Sequence, residues 1–150
     1  MLSHLQIQSA ALCLGLSVSG AFAADSEEAL IGKWRYVSIQ TSQGPLPIHE
    51  GDYVEFRNGE IHWRWMSEDH RHLYRVLREG DRNLLTGYLA ATPDKPDVRG
   101  IFEFKDGRLF ICDREASRGF PAAFSVSEGT LLVLEPYEKK GASKSLEPDK

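Results

Sequence analysis

Apolar and polar residues alternate in short runs between residues 31 and 135, and the runs are separated by glycine, proline, asparagine and acidic residues. A period of two is typical of strands, because successive side chains point to opposite faces of a sheet. The pattern predicts eight or nine strands, over residues 31–41, 53–57, 60–66, 70–78, 84–90, 99–105, 108–113, 122–127 and 130–135.

Two of the connections carry strong hairpin signals. Asn58-Gly59 divides residues 52–65, and Asp106-Gly107 divides residues 99–113. Both pairs favour positive φ at the two central residues of a tight turn, whose twist suits antiparallel strands. The chain is therefore mainly antiparallel β, and its strand spacing suits a meander barrel or a sandwich.

The two ends of the chain differ from this middle part. Residues 1–23 contain no Asp, Glu, Lys or Arg, are apolar over 10–18, and end in Ala21-Phe22-Ala23, a small-x-small cleavage pattern. They predict a cleaved Sec-type signal helix, since a membrane span needs about 20 apolar residues. Residues 138–150 are polar and predict a disordered tail. We expect one domain over residues 24–137, in a bacterial protein that is periplasmic or secreted and has no membrane span.

Charge and cysteine content limit the partners. The 18 basic and 22 acidic residues are interspersed and give a net charge of −4, which argues against nucleic acid as the main partner. After cleavage Cys112 is the one remaining cysteine, so no internal disulfide can form. Its apolar strand predicts a buried, inert thiol. We expect a monomer.

Several short motifs follow one another along the chain in a distinctive order. They are Leu30-Ile31-Gly32-Lys33-Trp34, Gly44-Pro45-Leu46-Pro47, Gly100-Ile101-Phe102-Glu103-Phe104, Gly107-Arg108-Leu109-Phe110-Ile111-Cys112, Gly119-Phe120-Pro121, Phe124-Ser125 and Leu131-Leu132-Val133-Leu134. In this order they resemble the small lipocalin-like domains of an uncharacterised family in planctomycete bacteria. The resemblance implies a lipocalin-like (calycin) fold, an all-β antiparallel up-and-down barrel of about eight strands, and no established activity. The chain shows no Thr-Asp-Tyr motif of the true lipocalins.

Aromatic residues are the candidate ligand contacts. Alternation places Ile61, Trp63 and Trp65 on one face of their strand. Two neighbouring indoles form either a filled core or the wall of a ligand cavity, since small barrels do both. Trp34, two residues after Gly32, is expected to plug one barrel end. The candidate ligand-binding residues are Trp63, Trp65, Tyr74, Tyr36, Phe102 and Phe104.

The sequence contains few residues whose spacing suits metal binding or catalysis. His62, His70 and His72 are the nearest approach to a metal site, but only Asp69 could assist them, so we expect no metal and no cofactor. No serine stands in a nucleophile elbow, and no phosphate loop or dinucleotide fingerprint occurs.

Two functions follow from these patterns. The first is an exported, non-catalytic binding module that holds an apolar or amphipathic small molecule in its barrel. The second is a protein-interaction or inhibitor-like domain with a filled barrel, which acts through its loops and outer surface. An enzyme would require convergent polar groups in a cleft.

Overall fold

The computed structural model describes residues 27–138. The predicted signal peptide, residues 1–23, and the predicted tail beyond Glu138 lie outside the described residues. Within the described range a short helix, α1 (Glu27–Leu30), comes first, and a 3-10 turn (Ala116–Arg118) lies before the last strand. The strands are β1 (Gly32–Thr41), β2 (Gly44–Pro45), β3 (Tyr53–Arg57), β4 (Glu60–Trp65), β5 (Glu68–Glu79), β6 (Arg82–Tyr88), β7 (Pro96–Lys105), β8 (Arg108–Glu115) and β9 (Thr130–Pro136).

The strands close into a barrel. Each neighbouring pair is antiparallel, and β9 pairs with β1, so that β1 and β3 to β9 form a ring of eight strands. β2 is an additional two-residue strand on the end of β1. Closure removes the unpaired edges of the sheet. The predicted all-β antiparallel barrel is confirmed. From residue 27 to residue 138, no helix has the length and apolar character that crossing a membrane requires.

The two predicted hairpins are present, and their turns differ in backbone geometry. Asp106 and Gly107 have φ angles of 53° and 74°, the positive pair expected of a tight hairpin turn. At the β3–β4 turn only Gly59 has a positive φ, 77°. The expectation of positive φ at both positions is therefore wrong for Asn58.

A third turn joins β4 to β5 through Met66 and Ser67, with φ angles of 52° and 67°. The strands predicted at residues 60–66 and 70–78 place this turn at residues 67–69. Left-handed backbone is unfavourable for side chains of this kind, so the surrounding sheet must impose it. Trp65 pairs directly with Glu68, and this register leaves two residues for the connection.

One end of the barrel is closed by aromatic packing. The indole Nε1 of Trp34 donates a hydrogen bond to the Leu30 carbonyl, 2.9 Å away, and both residues are buried. The Trp34 ring centroid lies 5.9 Å from that of Phe104. Trp34 therefore fills the end at which the chain enters β1, and α1 covers it.

A second apolar cluster lies on the outside of the barrel, where residues 116–129 cover β6, β7, β8 and β9. Leu84, Ile101 and Cys112 are buried there, packed by Phe120 and Leu131. Burial raises the pKa of the Cys112 thiol. The predicted buried cysteine is confirmed, although it is on the outer face of its strand.

The strand predicted at residues 122–127 is wrong, because this covering segment is held by side chains instead of a strand ladder. The Arg114 guanidinium donates to the carbonyls of Arg118, Gly119 and Phe120 and to the Glu128 carboxylate. The same carboxylate accepts from the backbone N–H of Ala122 at 3.0 Å. These bonds satisfy backbone groups that a strand would otherwise pair.

Candidate ligand-binding cavity

The barrel interior is open toward the end that carries the long connections, residues 42–52, 89–95 and 116–129. A cavity of about 270 Å³ lies there. Its apolar lining comes from most of the barrel strands and includes Ile39, Val54, Ile61, Leu85, Ile111 and Leu132.

An irregularity in β1 adds two side chains to this lining. Tyr36 pairs with Leu134 and Ser38 with Val133, so Val37 is an extra residue in the β1–β9 ladder. Such a bulge shifts the alternation by one position. Tyr36 and Ile39 therefore both line the cavity, whereas Val37 is exposed.

Two indoles form one wall of the cavity. Trp63 and Trp65 both line it, as their alternation on β4 requires. The Trp65 Nε1 donates to the carbonyl of Pro47 at 3.0 Å, which attaches the connection before β3 to the rim of the cavity. On the neighbouring strand the His72 ring centroid lies 4.6 Å from that of Trp63.

The six candidate ligand-binding residues divide into two groups. Tyr36, Trp63 and Trp65 line the cavity. Tyr74, Phe102 and Phe104 are not among its lining residues. Tyr74 packs edge-on against Phe56 at 5.5 Å, and Phe102 packs edge-on against Phe104 at 6.1 Å. These three rings belong to the filled core.

The three candidate metal ligands are separated by the strand register. His62 pairs with Arg71 and contacts the carboxylate of Glu60 at 3.0 Å, on the outer face. His70 and His72 pair with inward-facing positions of β4, and the His72 Nε2 lies 3.2 Å from an Asp97 carboxylate oxygen. Within residues 27–138 no three or more His, Cys, Asp and Glu side chains are grouped as a metal site would require.

Asp113 is a lining residue that sequence reasoning missed as a site. It follows Leu109 and Ile111 at a spacing of two, so its carboxyl points into the barrel. It pairs with Gly100 on one side and Thr130 on the other. An acidic residue at an inward position of an apolar strand was the available signal. A Cβ atom at Gly100 would lie 3.2 Å from the Asp113 Cβ, so the two strands approach closely at this pair.

Burial governs the ionisation of the Asp113 carboxyl. It raises the carboxyl pKa from 3.8 to about 6. Burial, followed by the charges of Asp52 and Asp113, also raises the pKa of the Tyr36 phenol, which therefore stays protonated. The other polar groups of the lining are His72 and Thr130. Arg118 lines an adjacent groove, with no ion pair to Asp113.

We expect the change Asp113→Asn to stabilise the protein progressively as the pH rises from about 4 to about 6. In this window the unfolded chain is ionised at position 113 while the folded protein keeps the proton, so the wild type loses stability. Above about pH 6 the wild type has lost the full amount, on the order of 2 to 3 kcal/mol in the free energy of unfolding. Urea unfolding at both pH values measures it.

The control is Asp94→Asn, which removes the same charge from an exposed loop at the open end. Its stability difference from the wild type should not change over the same pH window. A pH-independent difference for Asp113→Asn would contradict a buried carboxyl at this position.

Comparisons with protein-family models, with curated proteins and with solved structures returned no match.

Proposed function

We propose that this protein is an exported, non-catalytic binding module that holds a small apolar or amphipathic molecule in its barrel. The observation that carries the proposal is the cavity of about 270 Å³, walled by Trp63, Trp65 and Tyr36 and open at one end. Ligand sites are concave and mostly apolar, with a few polar groups that orient the ligand. Asp113, Thr130 and His72 would be those groups here.

The volume limits the size of the ligand. A dry protein cavity of about 150 Å³ accommodates one benzene ring. A cavity of about 270 Å³ would then suit a molecule of one to two rings, or a medium-length aliphatic chain. Retinoids and haem would not fit without a rearrangement of the rim.

The rim supports entry from the open end. Exposed apolar side chains lie on the connections that surround it, namely Ile48, Met66 and Leu89. The alternative function, a protein-interaction domain, was expected to have a filled barrel. The open interior favours the binding module over it.

Residues 1–23 support the exported location, since their apolar run and small-x-small end are typical of a cleaved signal. We also propose a relationship to the planctomycete lipocalin-like family, on the basis of the ordered motifs in the sequence; a closed barrel is the fold that this relationship requires.

A matched pair of variants on β9 tests the binding function. Leu132 lines the cavity, whereas its neighbour Val133 is at an outward position. Leu132→Trp should fill much of the cavity with the new indole ring. We expect it to weaken the binding of naphthylethanol by about 100-fold or more, because the ring occupies the volume that the ligand needs. Val133→Trp should change the affinity by less than about threefold. Isothermal titration calorimetry measures both.

Circular dichroism first establishes that both variants are folded. Equal affinities for the two variants would contradict a site inside the barrel. Failure of the wild type to bind any one- or two-ring probe would overturn the proposed function itself.

A further inference from the structure

The cavity is unusual in the charge of its lining. Asp113 is an acidic residue in a mainly apolar and aromatic lining that also includes His72 and Thr130, and none of the described residues that line the cavity is Lys or Arg. The His72 imidazole is held by Asp97 through its Nε2. Asp113 therefore supplies the one carboxylate among the described residues that line the cavity.

The Asp113 carboxyl has no protein partner of its own. Across residues 27–138 no side chain or backbone N–H forms a hydrogen bond or ion pair with it, and burial is the sole cause of its altered ionisation. The adjacent Arg114, which could have neutralised it, points outward and is engaged by Glu128. The carboxyl is partly buried and lines the cavity, so a cationic group of a ligand could supply the charge-assisted hydrogen bond that the protein does not.

The rest of the lining suits a cation as well. Aromatic faces attract a desolvated cation through the negative charge on the ring face, and tryptophan does so best. Trp63, Trp65 and Tyr36 line the same cavity as the Asp113 carboxyl.

We infer that the cavity binds an organic cation, a protonated amine that carries an apolar body of one to two rings. The ammonium would pair with Asp113, and the apolar body would lie against Trp63 and Trp65. This inference rests on the proposed binding function and specifies its ligand class. A carboxylate ligand such as a fatty acid would bring a second negative charge to Asp113 and is disfavoured.

Three probes of the same shape separate charge from size: naphthylethylamine, naphthylethanol and naphthylpropanoate. Calorimetry near pH 7.5 should show the amine binding about 10-fold to 100-fold more tightly than the alcohol, because a charge-assisted hydrogen bond replaces a neutral one. The propanoate should bind most weakly of the three.

The variant Asp113→Asn should remove this preference. It should weaken the binding of the amine by about 10-fold or more, so that the amine no longer binds more tightly than the alcohol. The matched control is Asp94→Asn, which removes one negative charge from an exposed loop at the same end and should leave all three affinities unchanged. Circular dichroism establishes that both variants are folded.

The possible failures are distinguishable. If the alcohol or the propanoate binds as well as the amine, the inferred cation site is wrong while the binding function stands. If the amine preference survives Asp113→Asn, the cation is held elsewhere and the assignment to Asp113 is overturned. If none of the probes binds, the proposed function and the inference both fail.

Discussion

Replacing Gly129 with Ala is expected to cost about 3 kcal/mol or more in the free energy of unfolding. A Cβ atom at this position would lie 2.1 Å from the carbonyl oxygen of Asp113 and 2.9 Å from its carbon. Both are backbone atoms of β8, next to the Asp113–Thr130 pair that begins the β8–β9 ladder. Because both atoms belong to the backbone, the clash can be relieved only by a shift of the main chain.

Gly87→Ala is the matched control. Gly87 lies within β6, and the nearest atom to its added Cβ would be the Val98 Cβ at 3.6 Å, an ordinary van der Waals contact. This variant should remain within about 0.5 kcal/mol of the wild type. Urea unfolding of the two variants measures the difference. Equal stabilities would show that the segment before β9 does not approach β8 as closely as described.

Replacing Trp34 with Ala is expected to cost about 3 to 5 kcal/mol, a large part of the stability of a domain of this size. The change removes the ring that packs on Phe104 and leaves the Leu30 carbonyl without its hydrogen-bond donor. Trp34→Phe keeps most of the apolar contact and loses the hydrogen bond, so it should cost about 1 to 3 kcal/mol. Chemical denaturation measures both.

The position of Trp34 gives a second readout. The residue closes the end of the barrel opposite the cavity and is not among the lining residues. Folded Trp34→Phe should therefore bind naphthylethanol within about twofold of the wild type. If Trp34→Ala lowers the free energy of unfolding by less than about 1 kcal/mol, the indole does not stabilise this end of the barrel.

Local patterns in the sequence predicted much of the fold. The turn at Asp106-Gly107 and the alternation of β4 are short-range features, and they placed a hairpin and the Trp63–Trp65 wall correctly. Alternation specifies which face a side chain points to, but it does not specify the height along the barrel axis. For this reason Tyr74, Phe102 and Phe104 were grouped with the cavity residues although they lie in the filled core.

Other features depend on contacts between distant residues. The segment 116–129 has an apolar composition that resembles a strand at residues 122–127, but Arg114 and Glu128 hold it as an irregular cover. The register of β4 with β5 separated His62 from His72, and it could not be read from either strand alone. The place of Asp113 in the cavity lining depends on the closing of the barrel, which brings together side chains from strands that are distant in the sequence.

Binding of a small molecule inside the barrel can be followed by methyl NMR of the wild type during titration with naphthylethanol. We expect chemical-shift changes at the cavity methyls of Ile39, Leu85 and Leu132, with little change at Leu84 and Ile101 in the outer cluster. Changes confined to Leu84 and Ile101, or no change at saturating probe, would contradict it.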